Sequence, residues 1–119
     1  MPIIHSDLRH TKGTTFEIYG KVRYRDAPRT LVANNDLLEF SISDVDNGVP
    51  IIYKNSTAGI LIADDGSYII TVPATDTERD QLPLAQYRYA LRIIEGGNPD
   101  NTYELLHGTL FLEDLPFAV

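Results

Sequence analysis

Cysteine is absent from this chain, and that one absence excludes a disulfide framework, a thiolate metal centre and a cysteine nucleophile. Tryptophan is absent as well. Positive charge is scarce: Lys and Arg together number 10 against 17 Asp and Glu, a formal net charge of -7. A nucleic-acid binder needs a basic face, so neither nucleic acid nor an anionic membrane is expected as the main partner. No apolar run approaches the roughly 18 residues of a membrane span. The opening Met1-Pro2-Ile3-Ile4-His5-Ser6 has no basic stretch followed by an apolar one, so no secretion signal is expected either. Sustained helical spacing is also almost missing.

What remains is alternation. With 119 residues, 43% hydrophobic and 23% charged, the chain has the composition of one globular domain. Phe16, Ile18, Gly20, Val22 and Tyr24 alternate with Glu17, Lys21 and Arg23, predicting a half-buried strand over 16–24. Leu38, Phe40 and Ile42 predict a second. The turn Asp44-Val45-Asp46-Asn47-Gly48 then leads into Val49–Tyr53. Gly59–Ala63 and Tyr68–Val72 flank Asp64-Asp65-Gly66, a hairpin signal. Tyr87, Tyr89, Leu91 and Ile93 form the clearest period-two run, ended by a loop over 95–100, and Tyr103–Leu112 is the last strand. Between them, Thr75 with Glu78 three residues on makes a capping box, and Pro83 limits the helix it starts to one or two turns. Roughly seven short strands at this spacing predict an all-β, immunoglobulin-like antiparallel sandwich with one short connecting helix. Its expected limits are 13–112, between an N-terminal arm (1–12) and an apolar C-terminal tail (113–119).

No catalytic constellation accompanies these strands. His5, His10 and His107 lack metal-ligand spacing, and His5 and His10 read as solvated positions of the arm. The loop at Asp44 puts Gly48 where a calcium loop needs its fifth-position ligand and has no closing glutamate, so turn chemistry explains it better. Asp64-Asp65 is a turn before it is an acid/base pair. No Gly-x-Ser-x-Gly or phosphate-cradling glycine loop occurs. Catalytic, cofactor and metal residues are therefore all expected to be absent. Arg23, Arg25 and Arg29 around Tyr24 suit a solvated strand end or an anchor for an acidic partner better than an RNA platform. Of the seven tyrosines, Tyr24, Tyr68, Tyr87 and Tyr89 fall at core positions, which leaves few rings for a sugar platform. Asn55-Ser56-Thr57 is a formal glycosylation sequon that reads more simply as a loop.

The apolar residues left over concentrate on the last strand and the two ends. Leu105, His107, Thr109 and Phe111 share one face of the last strand, while Leu106, Gly108, Leu110 and Leu112 share the other. Either a partner or another segment of this chain covers the outer face. Ile3 and Ile4 at one end, and Leu115, Phe117 and Val119 at the other, call for burial in the sandwich or on a neighbour. Candidate interface residues are therefore Ile3, Ile4, Leu105, His107, Phe111, Leu115, Phe117 and Val119.

Several stretches also carry a family resemblance: Lys12–Ile18, Leu38–Ile42, Asp65–Pro73, Ala74–Thr77 with Leu82–Ile93, and His107–Leu110. Over 12–112 they resemble the immunoglobulin-like N-terminal domain of phage baseplate upper proteins and related short virion proteins. That resemblance implies a non-enzymatic structural protein assembled in the bacterial host into a virion. It would be present in several symmetric copies, docked on tail, baseplate, neck or capsid, with other virion proteins as partners and no cofactor. The chain stops just after the domain, which favours a stand-alone module over an adaptor between two layers. The alternative reading is a decoration module that binds host-surface glycans.

Overall fold

A computed structural model describes residues 4–24, 27–28, 36–46, 48–63, 66–77, 82 and 85–113. Alternation becomes strand nearly wherever it occurs. In chain order the strands are β1 (Ile4–His5), β2 (Leu8–Thr11), β3 (Phe16–Lys21), β4 (Arg23–Tyr24), β5 (Ala27–Pro28) and β6 (Leu37–Ser43). They continue with β7 (Pro50–Asn55), β8 (Ile60–Ile62), β9 (Ser67–Val72), β10 (Gln86–Ile94) and β11 (Thr102–Glu113). One sheet runs β7–β6–β10–β11, with β1 and β2 both along the outer edge of β11, and a second runs β3–β9–β8. β4 and β5 form a separate short hairpin. The result is an all-β immunoglobulin-like sandwich, as the sequence predicts.

The core lies between the two sheets and takes every second position of the alternating runs. Leu38, Phe40 and Ile42 come from β6, Tyr68, Ile70 and Val72 from β9, and Tyr87, Tyr89, Leu91 and Ile93 from β10, all buried. Five of the 18 buried apolar side chains among the described residues are aromatic. Phe40 and Tyr89 sit with ring centroids 6.1 Å apart, and each buried aromatic removes about 150–250 Å² from water. Gly20 supplies room for another ring: its strand partner is Tyr68, and a Cβ at position 20 would fall 2.1 Å from the Tyr68 hydroxyl.

Four local readings differ from the sequence expectation. The strand predicted over 16–24 breaks at Val22, which is buried and donates its N–H to Gly66 O at 2.8 Å. The capped helix is a single 3₁₀ turn over Ala74–Thr77, and Glu78 lies outside the described residues. Thr77 ties that turn down, because it is fully buried and its Oγ1 accepts the Gly13 N–H at 3.0 Å. The segment taken as an arm belongs to the first sheet. β1 and β2 run parallel to β11, from Ile4 opposite Leu106 to Thr11 opposite Glu113.

The fourth difference is a change of face. Leu91 pairs with Leu106 and Arg92 with Glu104, so Leu105 is the extra residue of a bulge. A bulge reverses the alternation beyond it. Leu105, Leu110 and Leu112 are therefore all core residues, and Leu105 does not share the outer face with His107 and Phe111. A second bulge opposes Ile42/Ser43 with Ile52 and Pro50 and leaves Ile51 over, on β7, the last strand on that side of the sheet among the described residues.

An ion pair joins β7 to the 3₁₀ turn. Lys54 of β7 reaches Asp76 of the 3₁₀ turn with Nζ 2.8 Å from Oδ2, and both side chains are mostly buried. The Asp76 oxygen is itself sheltered from solvent, so the ammonium is what compensates it. Removing one partner of such a pair strands the other. Lys54→Met is expected to lower unfolding stability by about 1–3 kcal/mol, whereas Lys54→Met with Asp76→Leu recovers most of it. Urea denaturation of the three proteins measures the difference.

Candidate functional site

The outer face of the first sheet is where the side chains left out of the core gather. Register fixes their order across four strands and the N-terminal segment. Tyr53 lies opposite Ser41, Ser41 opposite Ala90, Ala90 opposite His107 and His107 opposite His5. One cross-strand row therefore has a phenol at one end, two imidazoles at the other, and only a hydroxymethyl and a methyl between them. Polar rows that include the charged Glu39, Arg92, Glu104 and Arg88 flank it. Asn55, Glu39, Arg92 and Glu104 follow one another on one side, and Ser43, Arg88 and Thr109 on the other. The face is a shallow trough floored by Ser41 and Ala90.

Its walls are fixed by polar contacts. Arg92 donates from Nε to Glu39 Oε1 at 2.7 Å, and the Tyr53 hydroxyl donates to Glu39 Oε2. Burial, and then that bond to a carboxylate, hold the Tyr53 phenol above the ordinary tyrosine range, so it stays a neutral donor. Ile51, Tyr53 and Val49 add exposed apolar surface at the β7 end.

At the other end the N-terminal segment supplies half of each contact. Arg9 places its guanidinium 4.4 Å from the centre of the Phe111 ring, a cation–π pair. His5 meets His107 edge to face, with centroids 4.9 Å apart. His10 turns the other way and stacks on Phe16 of the second sheet, centroids 3.9 Å apart and planes within 7°. It is half-buried rather than solvated, and desolvation lowers its pKa below the ordinary imidazole value. The outer face of β11 is thus covered in part by this chain's own segment, one of the two options open from sequence.

The segment can lie there because position 108 carries no side chain. A Cβ on Gly108 would sit 1.9 Å from the Ser6 carbonyl oxygen. That oxygen accepts from the Tyr89 hydroxyl, the Ser6 N–H donates to His107 O at 2.9 Å, and the Thr109 N–H donates to Asp7 Oδ1 at 3.0 Å. Groups from β10 and β11 thus converge on the corner between β1 and β2.

Of the candidate interface residues, His107 and Phe111 lie on this face. For Ile4 the backbone pairing alone is described, and Ile3, Leu115, Phe117 and Val119 lie outside the described residues. The Asp44 loop is a turn: Asp44 Oδ1 accepts the Asp46 N–H at 2.8 Å, and Gly48 has φ +68°. Asn55 likewise closes its own turn, its Oδ1 accepting the Thr57 and Ala58 N–H groups, each at 2.9 Å. Arg25, Arg29, Asp64 and Asp65 lie outside the described residues, as do the side chains of Arg23 and Tyr24. The exposed rings Tyr19, Tyr53 and Tyr103 stand on β3, β7 and β11, in two different sheets. Among the described residues no three metal-ligating side chains converge, and no helix is long and apolar enough to cross a membrane. His5, Arg9 and Asp7 were not singled out by their spacing as site residues, because their partners are about a hundred positions away.

No family model matches this chain, and no curated protein does. Among solved structures 36 chains match. One is the extracellular domain of the voltage-gated sodium channel beta4 subunit, described as a parallel homodimer that explains that protein's role in cell–cell adhesion. The likeness has a TM-score of 0.50 at 12% identity and covers 93% of this chain and 92% of that one. It identifies the fold.

Two outcomes are expected. Gly108→Val lowers stability by about 1–3 kcal/mol through overpacking and selectively speeds amide exchange in Ser6 and 8–11, which hydrogen-exchange mass spectrometry reads. Because the folded state keeps His10 neutral below its ordinary value of 6.5, the stability it contributes is complete above that value. It is lost as pH falls from there toward the lowered folded value. His10→Phe preserves the stack and removes the titration, so its urea midpoint should change less than the wild type's between pH 7.5 and pH 5.

Proposed function

We propose that this chain is a non-enzymatic structural domain of a phage virion, mounted in several copies and docking through the outer face of its larger sheet. The observation that carries the docking surface is the trough over Ser41 and Ala90. A floor of small side chains with a phenol, two imidazoles and paired charges around it accepts a protruding ridge and offers it hydrogen bonds on every side. Such a centre suits the buried middle of a protein–protein contact, while Glu39, Arg92, Arg88 and Glu104 suit its polar rim. The virion setting is supported by the resemblance of residues 12–112 to phage baseplate domains. A second copy of the chain is the first partner to examine, since the similar adhesion domain pairs with itself; other virion proteins follow.

The test places a large charge on the trough floor. Ala90→Arg is expected to weaken self-association, or incorporation into particles, by at least about tenfold, or 1.4 kcal/mol. Tyr19→Ser on the opposite sheet should leave both unchanged. Sedimentation velocity and particle composition are the readouts, with circular dichroism confirming that both variants fold. Equal assembly of Ala90→Arg and wild type would remove this face from the mechanism.

A further inference from the structure

The two imidazoles at the end of the trough are arranged in a way that docking does not require. Nδ1 of His5 lies 3.3 Å from Nε2 of His107. The far nitrogen of each ring faces a carboxylate: His5 Nε2 is 3.5 Å from Asp7 Oδ1, and His107 Nδ1 is 3.3 Å from Glu104 Oε1. A neutral imidazole has a single N–H. If each ring donates it to its own carboxylate, two bare lone pairs are left facing one another across the gap. A proton or a metal ion must then reconcile them.

The spacing fits a metal. Two nitrogens each bound at about 2.0–2.1 Å to one tetrahedral ion are about 3.3–3.4 Å apart, which is the separation found. A carboxylate on the non-ligating nitrogen is the usual outer support of a metal-bound histidine, fixing its tautomer and raising its basicity. Here a carboxylate oxygen lies within 3.5 Å of that nitrogen in both histidines. Asp7 is itself held by the Thr109 N–H, Ser6 is tied to His107 and Tyr89, and His5 pairs with His107 through the backbone. The ligands are therefore brought together by the fold and not by sequence spacing. Both rings are open to solvent, with side-chain exposures of 66% and 44%, and Asp7 and Glu104 offset the charge of a divalent cation.

We propose that His5 and His107 form a binding site for one borderline divalent transition-metal ion, of the class of Zn²⁺, Ni²⁺ or Cu²⁺. Asp7 and Glu104 act as positioning carboxylates. This chain fills two coordination positions, and water or a second copy fills the rest. Imidazole ligands select this class over Mg²⁺ and Ca²⁺, which prefer oxygen. The site shares His5 and His107 with the docking face, but it needs no partner to bind the ion.

The test titrates Zn²⁺ and Ni²⁺ separately into untagged protein, followed by calorimetry and by the imidazole resonances in NMR. Saturable binding is expected, with perturbation confined to His5 and His107. His5→Gln and His107→Gln should each weaken it at least about tenfold, and Glu104→Gln by about 10–100-fold, the usual effect of losing an outer partner. His10→Gln, stacked away from the site, should bind as the wild type does. A stoichiometry of one ion per chain assigns the remaining positions to water, and one ion per two chains with a doubled sedimenting mass assigns them to a second copy; either supports the site. Absence of saturable binding, or binding retained in the His5→Gln/His107→Gln double variant, would overturn it, and Mg²⁺ binding as tightly as Zn²⁺ would overturn the assigned class.

Discussion

The contact on which the face of this domain depends is the crossing of the Ser6 carbonyl over Gly108, beneath the Tyr89 hydroxyl. It fixes the first strand pair in register with the last strand, and that register decides which side chains meet. On the outer side, His5 reaches His107 and Arg9 reaches Phe111. On the inner side, His10 reaches Phe16 and links the larger sheet to the smaller. A bulk of one methyl at position 108 would push the backbone corner away and loosen all three together. Sheet edges ordinarily leave donors and acceptors open; here the same crossing satisfies those of β11.

With no cysteine to join the sheets, cohesion rests on ring packing and on a few buried polar ties. Phe40, Tyr87 and Tyr89 are fully or almost fully buried in one cluster with Leu38, Leu91 and Ile93. Burial holds the Tyr68 and Tyr89 phenols above their ordinary range, so both remain neutral where an ionised ring would cost most. The turn around Gly13 is stapled to the turn at Ala74–Thr77 by two side-chain hydroxyls, Thr77 and Thr15. Lys54 of β7 holds the same turn through Asp76. Direction and hydrogen bonding thus locate the loops, while the apolar interior supplies most of the free energy.

Legibility in the sequence followed the strength of local alternation. β6, β9 and β10 each present three or four apolar side chains at period two, and their burial follows it residue by residue. β1 and β2 carry no local strand signal, because Ser6, Asp7, Arg9 and His10 interrupt any period. Their strand character comes from a partner far along the chain. The bulge at Leu105 was equally invisible, since an extra residue in one strand is defined only by the register of the other. Alternation alone therefore puts Leu105 with His107, whereas the bulge puts it with Leu110 and Leu112. The candidate face was half legible: His107 and Phe111 could be named from alternation, whereas the trough joins side chains from strands not adjacent in sequence.

Parallel pairing of the first strands with the last gives the domain a long closing loop, since His5 and His107 are 102 residues apart. Contacts of that span are the slowest to form and follow the local hairpins. During synthesis the hairpins and meanders can assemble as they emerge, but the N-terminal segment has nowhere to lie until β11 has been made. Until then Arg9, His10 and His5 remain without Phe111, Leu112 and His107. Completion of the larger sheet is therefore a late step: the cross-strand row that ends in His5 and His107 exists only once β11 has been made and the N-terminal segment has paired with it.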